Sequence, residues 1–169
     1  MIRSCRTRTT LGRSHPDLGA PFLHTRHGAR LLMSASQDPP KPTGLVMQII
    51  LRRDLLTELK WPVGPLLAQS AHASTAVLHL HRDHPDVQRY FHGEDGRGWE
   101  VMRKVTYEVP NEEALRSLAT KLDEMAPKIP YHLWIEQPEN VPTALALVPN
   151  KRPKALKKAM DEAGCQLFR

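Results

Sequence analysis

Gln69 and His72 are the first pair of side chains in this chain whose types and spacing could support chemistry. A separation of three residues places both side chains on one face if the segment is helical. An imidazole beside the free N–H groups of a helix start could assist proton transfer to an anionic ligand. The structural alternative is that Gln69 caps backbone groups of a neighbouring loop and that His72 is a satisfied, half-buried histidine.

A second group of ligand-type side chains follows in His79-Leu80-His81-Arg82-Asp83-His84. Imidazoles and a carboxylate at this spacing bind paired zinc ions in some hydrolases when they lie in a loop after a strand. Here they end a predicted helix, where side chains two residues apart point about 200° apart. We therefore interpret the group as a solvated helix terminus, where histidines favour the helix dipole. No metal ligands are predicted.

The elements that position these side chains follow from the hydrophobic pattern. Strands are predicted at 46–51, 101–109, 131–135 and 143–148. Helices are predicted at 66–80 and 86–92, from an N-cap at Asn111, and from Pro153 to a C′ residue at Gly164. This order predicts an α/β fold: a single compact three-layer domain with a four-stranded mixed sheet and helices on both faces. Ligands commonly bind beyond the carboxyl ends of such strands, which is where Arg52, Arg53 and Asp54 are expected.

The composition of the chain indicates one globular domain without a membrane span. A chain of 169 residues with 25% charged and 40% hydrophobic residues is typical of one globular domain. It contains no apolar run of eighteen residues, so a membrane span is not predicted. The two cysteines, Cys5 and Cys165, stand at opposite ends and predict neither a disulfide framework nor a zinc site.

The first 44 residues differ from the rest. They hold seven Lys and Arg against two Asp, so most of the net charge of +6 belongs to them. Rich in Arg, Ser and Thr and poor in acids, they are typical of a transit peptide, which predicts a mitochondrial or other organellar location and otherwise a cytoplasmic one. The alternatives are a disordered extension or a start codon placed too far upstream. Residues 45–169 are predicted to form the domain.

Several separated blocks of the domain resemble the type 2 peptidyl-tRNA hydrolases, and specifically their divergent peptidyl-tRNA hydrolase domain-containing subgroup. The family pattern is carried by Ile50-Leu-Arg52-Arg-Asp54-Leu and Ala68-Gln69-x-x-His72-Ala73. The subgroup pattern is carried by Trp61-Pro62, by His79-x-His81-Arg-Asp-His84-Pro85 and by Leu133-Trp-Ile-Glu136-Gln-Pro-Glu-Asn140. The resemblance extends from Val46 to Arg169.

The resemblance implies hydrolysis of the ester that joins a peptide to the terminal ribose of tRNA, without a metal or organic cofactor. Such a step needs a general base and donors for the developing oxyanion. The residues expected to carry catalysis are His72, Glu136 and Gln69. Those expected to bind substrate are Arg52, Arg53, Asp54 and Thr143. The expected partner is tRNA, in translation quality control and ribosome rescue.

The chain departs from the family pattern at two places. Pro65 stands where the family has a lysine; Lys60, Lys151 and Lys154 are alternatives for that role. The family's D-A-G-x-T loop is shortened to Glu136-Gln-Pro-Glu-Asn140, so Glu136 replaces the aspartate and the loop threonine is missing, although Thr143 matches a later one. Two other functions therefore stay open: non-catalytic binding of tRNA or RNA, and an adaptor role through 133–140. A homodimer is kept as one alternative for assembly.

Overall fold

A computed structural model describes residues 39–169, which form five strands and five helices. The strands are β1 (Met47–Arg52), β2 (Lys104–Val109), β3 (Tyr131–Glu136), β4 (Val141–Leu147) and β5 (Gln166–Leu167). The helices are α1 (Asp54–Thr57), α2 (Val63–Leu80), α3 (Pro85–His92), α4 (Glu112–Glu124) and α5 (Lys154–Glu162), with a 3-10 turn at Gly98–Val101. The expected leader at 1–44 lies almost wholly outside the described residues.

The strands form one mixed sheet in the order β3-β4-β1-β2-β5. The central strand β1 pairs in parallel with β2 and antiparallel with β4. β3 pairs with β4, and β5 pairs with β2, both antiparallel. The predicted α/β class and the mixed sheet are confirmed, but the predicted number of four strands is wrong because β5 adds a fifth at the edge.

Two hydrophobic cores, one on each face of the sheet, confirm the predicted three layers. Met47, Ile49 and Leu51 point to the face covered by α2 and α3. Ile50 points to the opposite face, against α4 and α5. All six residues of β1 are buried, as expected for the central strand of a covered sheet.

Local signals in the sequence predict most element ends. Asn111 caps α4, accepting a hydrogen bond of 3.1 Å from the backbone N–H of Ala114, and Gly164 follows α5 with a φ of 75°. The second strand begins at Lys104 instead of the predicted residue 101, because the preceding residues form the 3-10 turn. α2 begins at Val63, so that Pro65 lies in its first turn, where a missing N–H costs nothing.

One end of the sheet gathers the predicted site residues. β1 ends there at Arg52, β3 ends there at Glu136, and antiparallel β4 begins there at Val141. None of the helices within residues 39–169 is long and apolar enough to cross a membrane.

Candidate active site

Three side chains from α2 and β3 form the centre of the candidate site. The imidazole of His72 stacks on the indole of Trp134, with ring centroids 4.8 Å apart and 20° between the ring planes. The indole Nε1–H donates a hydrogen bond of 2.8 Å to Oε2 of Glu136. His72 is exposed, whereas Trp134 and Glu136 are half-buried. One indole therefore positions both an imidazole and a carboxylate; we call these three residues the Trp134 cluster.

The strand period explains why β3 contributes to this cluster. Side chains two residues apart lie on the same face of a strand, so His132, Trp134 and Glu136 all face α2. His132 contacts the edge of the Trp134 ring at 6.1 Å between centroids. Burial, together with the nearby charge of His81, lowers the pKa of His132. The neutral form of the His132 imidazole is therefore favoured beside the Trp134 ring.

A buried hydrogen bond joins Gln69 to Thr143. The hydroxyl of Thr143 donates to Oε1 of Gln69 at 2.7 Å, and Nε2 of Gln69 donates to the carbonyl of Pro65 at 3.3 Å. Gln69 is 2% exposed and Thr143 is 0% exposed. These two predicted site residues meet, but they bind each other beneath the surface and tie α2 to β4.

A β-bulge turns Thr143 toward α2. On β3, Trp134 and Ile135 are consecutive, yet their partners on β4 are Ala144 and Pro142. Thr143 is the extra residue between them. Because bulges locally re-aim side chains, Thr143 reaches Gln69 on the α2 face although Leu145 on the same strand packs in the opposite core.

The structure places Arg52 and Asp54 in a network with Glu112. The guanidinium of Arg52 binds Asp54 through Nε at 3.0 Å and through Nη2 at 2.6 Å. Its Nη1 donates to Glu112 at 2.8 Å and to the carbonyl of Pro142 at 2.9 Å. We call Arg52, Asp54 and Glu112 the Arg52 network. It joins β1, α4 and β4 at the end of the sheet where the Trp134 cluster lies.

Electrostatics in the Arg52 network keep the guanidinium charged. Burial alone would lower the pKa of Arg52, but the hydrogen bonds and charges of Asp54 and Glu112 raise it above its ordinary value. Arg52 is 5% exposed and Asp54 is 7% exposed, so both charges are withdrawn from solvent. These contacts stabilise the packing of β1 against α4 and β4. Substrate binding by Arg52 and Asp54 stays a prediction.

Arg53 points elsewhere and holds the carboxyl-terminal segment. Its Nη1 donates to Glu108 at 3.0 Å and to the carbonyl of Arg169 at 2.7 Å. Its guanidinium also lies over the ring of Phe168 at 5.5 Å from the centroid. All four residues of the predicted substrate-binding set, Arg52, Arg53, Asp54 and Thr143, therefore make contacts within the chain.

The His79–His84 segment forms a helix junction. His81 is the C-cap of α2, and Nδ1 of His84 accepts the backbone N–H of Asp86 at 3.2 Å as the N-cap of α3. Within residues 39–169, no three His, Cys, Asp or Glu side chains are grouped so that they could hold a metal ion.

Of the three lysines considered for the role of a lysine at position 65, Lys60 is bound within its own loop and the other two lie at the far end of the sheet. Lys60 donates from Nζ to the carbonyl of Thr57 at 2.5 Å, at the end of α1. Lys151 follows Asn150, which pairs with Val46 just before β1 begins. Because a strand advances about 3.3 Å per residue, Lys151 and the nearby Lys154 belong to the opposite end of the sheet.

Two residues of the site were missed by sequence reasoning. Trp134 is the contact that unites His72 with Glu136, and its alternation with Glu136 along β3 was a signal that could have identified it. Glu112, in the first turn of α4, completes the Arg52 network across 60 residues of sequence, and no local pattern indicates that pairing.

Replacing Thr143 with Val should destabilise the protein. Valine has nearly the shape of threonine but lacks the hydroxyl donor, so Oε1 of Gln69 is left buried without its partner. An unsatisfied buried group costs about 1–3 kcal/mol, and we expect urea denaturation to show a loss of that size. Thr57→Val, at an exposed hydroxyl, is the control; equal stability of the two variants would contradict the assigned role of Thr143.

The sequence pattern of the family described as "Peptidyl-tRNA hydrolase PTH2" matches residues 45–160, well over half of the chain. The chain belongs to the PTH2 family. The match includes the Trp134 cluster, the Gln69–Thr143 pair and the Arg52 network. The resemblance inferred from the sequence motifs is thereby confirmed.

Two curated relatives agree with the PTH2 assignment, and both carry the name "Putative peptidyl-tRNA hydrolase PTRHD1". The human protein is 43% identical over 121 residues, which are 71% of this chain and 81% of the relative. The mouse protein is 46% identical over 110 residues, which are 64% of this chain and 74% of the relative. The chain is therefore similar to a divergent branch of the PTH2 family.

Proposed function

We propose that this PTH2 protein hydrolyses the ester bond of peptidyl-tRNA or N-blocked aminoacyl-tRNA, releasing the peptide and free tRNA. Family membership supports a peptidyl-tRNA hydrolase-like function. The observation that carries the proposal is the Trp134 cluster, in which one indole holds a carboxylate by a hydrogen bond and stacks on an imidazole. A base and a proton carrier are the two groups that ester hydrolysis by water requires.

In the proposed first step, Glu136 is the general base. Trp134 binds Oε2 and so fixes the direction of the carboxylate, while Oε1 lies outside that hydrogen bond. Oε1 takes a proton from water as the water oxygen adds to the ester carbonyl. The product of this step is a tetrahedral intermediate that carries the negative charge on the former carbonyl oxygen.

In the proposed second step, the carbonyl re-forms and the bond to the ribose oxygen breaks. His72 donates a proton to that oxygen and is reprotonated by the proton that Glu136 removed from water, so the peptide leaves as a carboxylic acid and the tRNA with a free hydroxyl. His72 is exposed on α2 and so is accessible to a large substrate. Gln69 and Thr143, buried below it, act as positioning residues that fix α2 against β4.

The direct test is release of peptide from N-blocked aminoacyl-tRNA by the full chain, beside a His72→Ala variant. We expect turnover by the wild-type chain and a loss of about 10²-fold in the variant, because one positioned proton donor is removed. His79→Ala is the matched control, since His79 is another exposed histidine of α2 outside the Trp134 cluster. Equal rates in all three proteins would contradict the role of His72.

A second function, binding of tRNA without hydrolysis, is favoured by one specific observation. Pro65 replaces the family lysine, and the buried cation nearest to the strand ends, Arg52, is already bound by Asp54 and Glu112. An oxyanion donor is typically worth about 10²–10³-fold in rate, so its loss would leave a weak enzyme. Retention of tRNA with no peptide release would favour this second function over the first.

We also propose that residues 1–44 direct the chain to mitochondria or another organelle. The support is compositional: this stretch is basic, rich in Ser and Thr, and nearly free of acids. Fused to a fluorescent reporter, residues 1–44 should concentrate it in an organelle, whereas residues 45–169 fused to the same reporter should not. A diffuse cytosolic signal from the first fusion would contradict the proposal.

A further inference from the structure

A cavity of about 420 Å³ lies between α5 and the sheet, at the end of β1 opposite the Trp134 cluster. We call it the α5 cavity. Its apolar wall is formed by Tyr107, Leu156 and Met160, and Gln48 of β1 also lines it. This volume falls within the range of about 300–1,000 Å³ that is typical of small-molecule sites.

Gln48, one of the residues that line the α5 cavity, carries a buried donor without a partner among the described residues. The residue is 1% exposed, and its Nε2 has no hydrogen-bond partner among the described residues. Buried polar groups in folded proteins are nearly always paired, so each exception needs an explanation. A ligand that supplies an acceptor at this position is one such explanation.

The neighbouring hydrogen bonds fix which way the Gln48 amide faces. Asn150 accepts the backbone N–H of Arg152 through Oδ1 and donates from Nδ2 to the carbonyl of Val148. The same Nδ2 also donates to Oε1 of Gln48 at 2.7 Å. Exchanging the ends of the Gln48 amide would set two donors against each other. The hydrogen bonds of Asn150 therefore fix the Gln48 amide with its N–H₂ group directed away from Asn150.

Positive charge surrounds the same cavity. Lys151 and Arg152 line it, and within residues 39–169 neither side chain forms an ion pair. The amino end of α5 follows them without a side-chain cap or an acidic residue in its first turn, which favours an anion nearby. Lys151, Arg152 and the amino end of α5 therefore each contribute positive potential at the α5 cavity.

The remaining polar groups of the α5 cavity do not cancel this charge. Lys157 forms an ion pair with Asp161, so the carboxylate that lines the cavity is already matched by a lysine on the same helix. Burial, together with the charge of Asp161, raises the pKa of the Cys165 thiol to about 12. Cys165 is therefore a neutral thiol in this wall, and the net charge of the cavity is positive.

We propose that the α5 cavity binds a small organic anion: a phosphate or carboxylate group attached to an apolar or aromatic body. The acidic oxygens accept from Nε2 of Gln48 and meet Lys151 and Arg152. The body packs on Leu156, Met160 and the ring of Tyr107. This site is separate from the Trp134 cluster, and the proposal does not depend on hydrolysis of peptidyl-tRNA.

Three probes with the same phenyl body test the proposal on the full-length ¹⁵N-labelled chain: phenyl phosphate, benzoate and neutral benzamide. We expect phenyl phosphate or benzoate to bind and to shift the side-chain amide signals of Gln48, with benzamide binding at least about tenfold more weakly. The comparison of the first two probes distinguishes a phosphate site from a carboxylate site. No binding of either anion at millimolar concentration, or equal binding of benzamide, would overturn the proposal.

Two variants locate the site. Gln48→Glu keeps the acceptor for Asn150 but places an acidic oxygen where the donor was, and Lys151→Gln removes an exposed cation without touching the core. Each should raise the dissociation constant of the anionic probe by about tenfold. Lys158→Gln, on α5 but outside the cavity lining, is the matched control and should leave the affinity unchanged. Unchanged affinity in Lys151→Gln would overturn the proposal even where Gln48→Glu fails to fold.

Discussion

Glu136→Gln is expected to reduce the release of peptide from N-blocked aminoacyl-tRNA by about 10²–10⁴-fold, the range typical of a positioned acid–base group. The amide retains an oxygen that can accept the Trp134 Nε1–H, so the loop should keep its geometry. What the variant loses is the carboxylate oxygen that we propose takes a proton from water. The expected signature is therefore a fall in kcat with little change in KM.

Glu139→Gln is the matched control for this experiment. Glu139 lies three residues later, exposed in the turn between β3 and β4. Its replacement removes the same charge from the same loop, so a general electrostatic effect on tRNA binding would appear in both variants. An equal loss of rate in the two variants would contradict the assignment of Glu136 as the base, and retained activity in Glu136→Gln would do the same.

Arg52→Ala is expected to lower the free energy of unfolding by about 3–5 kcal/mol, the cost typical of breaking a buried ion pair. Asp54 would stay buried with both carboxylate oxygens deprived of their donors. Glu112 and the carbonyl of Pro142 would lose a donor as well. A change of this size is readily measured from the midpoint of urea denaturation of the full chain.

Arg116→Ala tests whether the loss of stability expected for Arg52→Ala results from the burial of its ion pairs. Arg116 binds the other oxygen of the same Glu112 at 2.9 Å, but it lies on the exposed surface of α4. A surface pair of this kind contributes about 0.3–0.5 kcal/mol, so the two arginines should differ strongly. Similar losses in both variants would contradict the buried role of Arg52.

The Arg52 network also changes how substrate binding can be studied. Loss of tRNA retention in an Arg52 variant would report on the folding of the strand end as much as on contact with RNA. Arg53 is half-buried and supports the carboxyl-terminal segment, so its variants need the same control for stability. A binding experiment on either arginine is informative only beside the denaturation curve.

The fold was largely predictable because its signals are local. The cap at Asn111, the glycine after α5 and the apolar runs of β1 and β4 each specify an element within a few residues. β5 was not predictable, since it has two exposed residues and pairs with β2 only after the chain has folded. α1 is a single turn, too short to show a period.

The site was less predictable because its geometry depends on distant pairings. The bulge that turns Thr143 toward Gln69 exists only in the pairing of β3 with β4. The burial of Arg52 depends on α4, which lies 60 residues later in the sequence. A motif identifies which residue types are present, but it does not determine whether a charge faces a substrate or another part of the chain.

The position of β1 at the centre of the sheet has a consequence for synthesis on the ribosome. Among the strands of residues 39–169, β1 emerges first, yet one of its neighbours is β4, so Ile49 can pair with Ala146 only after β4 has been translated. Contacts of such long sequence separation form slowly, because a large loop must close before they are gained. The nascent chain therefore cannot complete the pairing of β1 until β4 has been translated, and until then the apolar side chains of β1 lack a partner strand on that side.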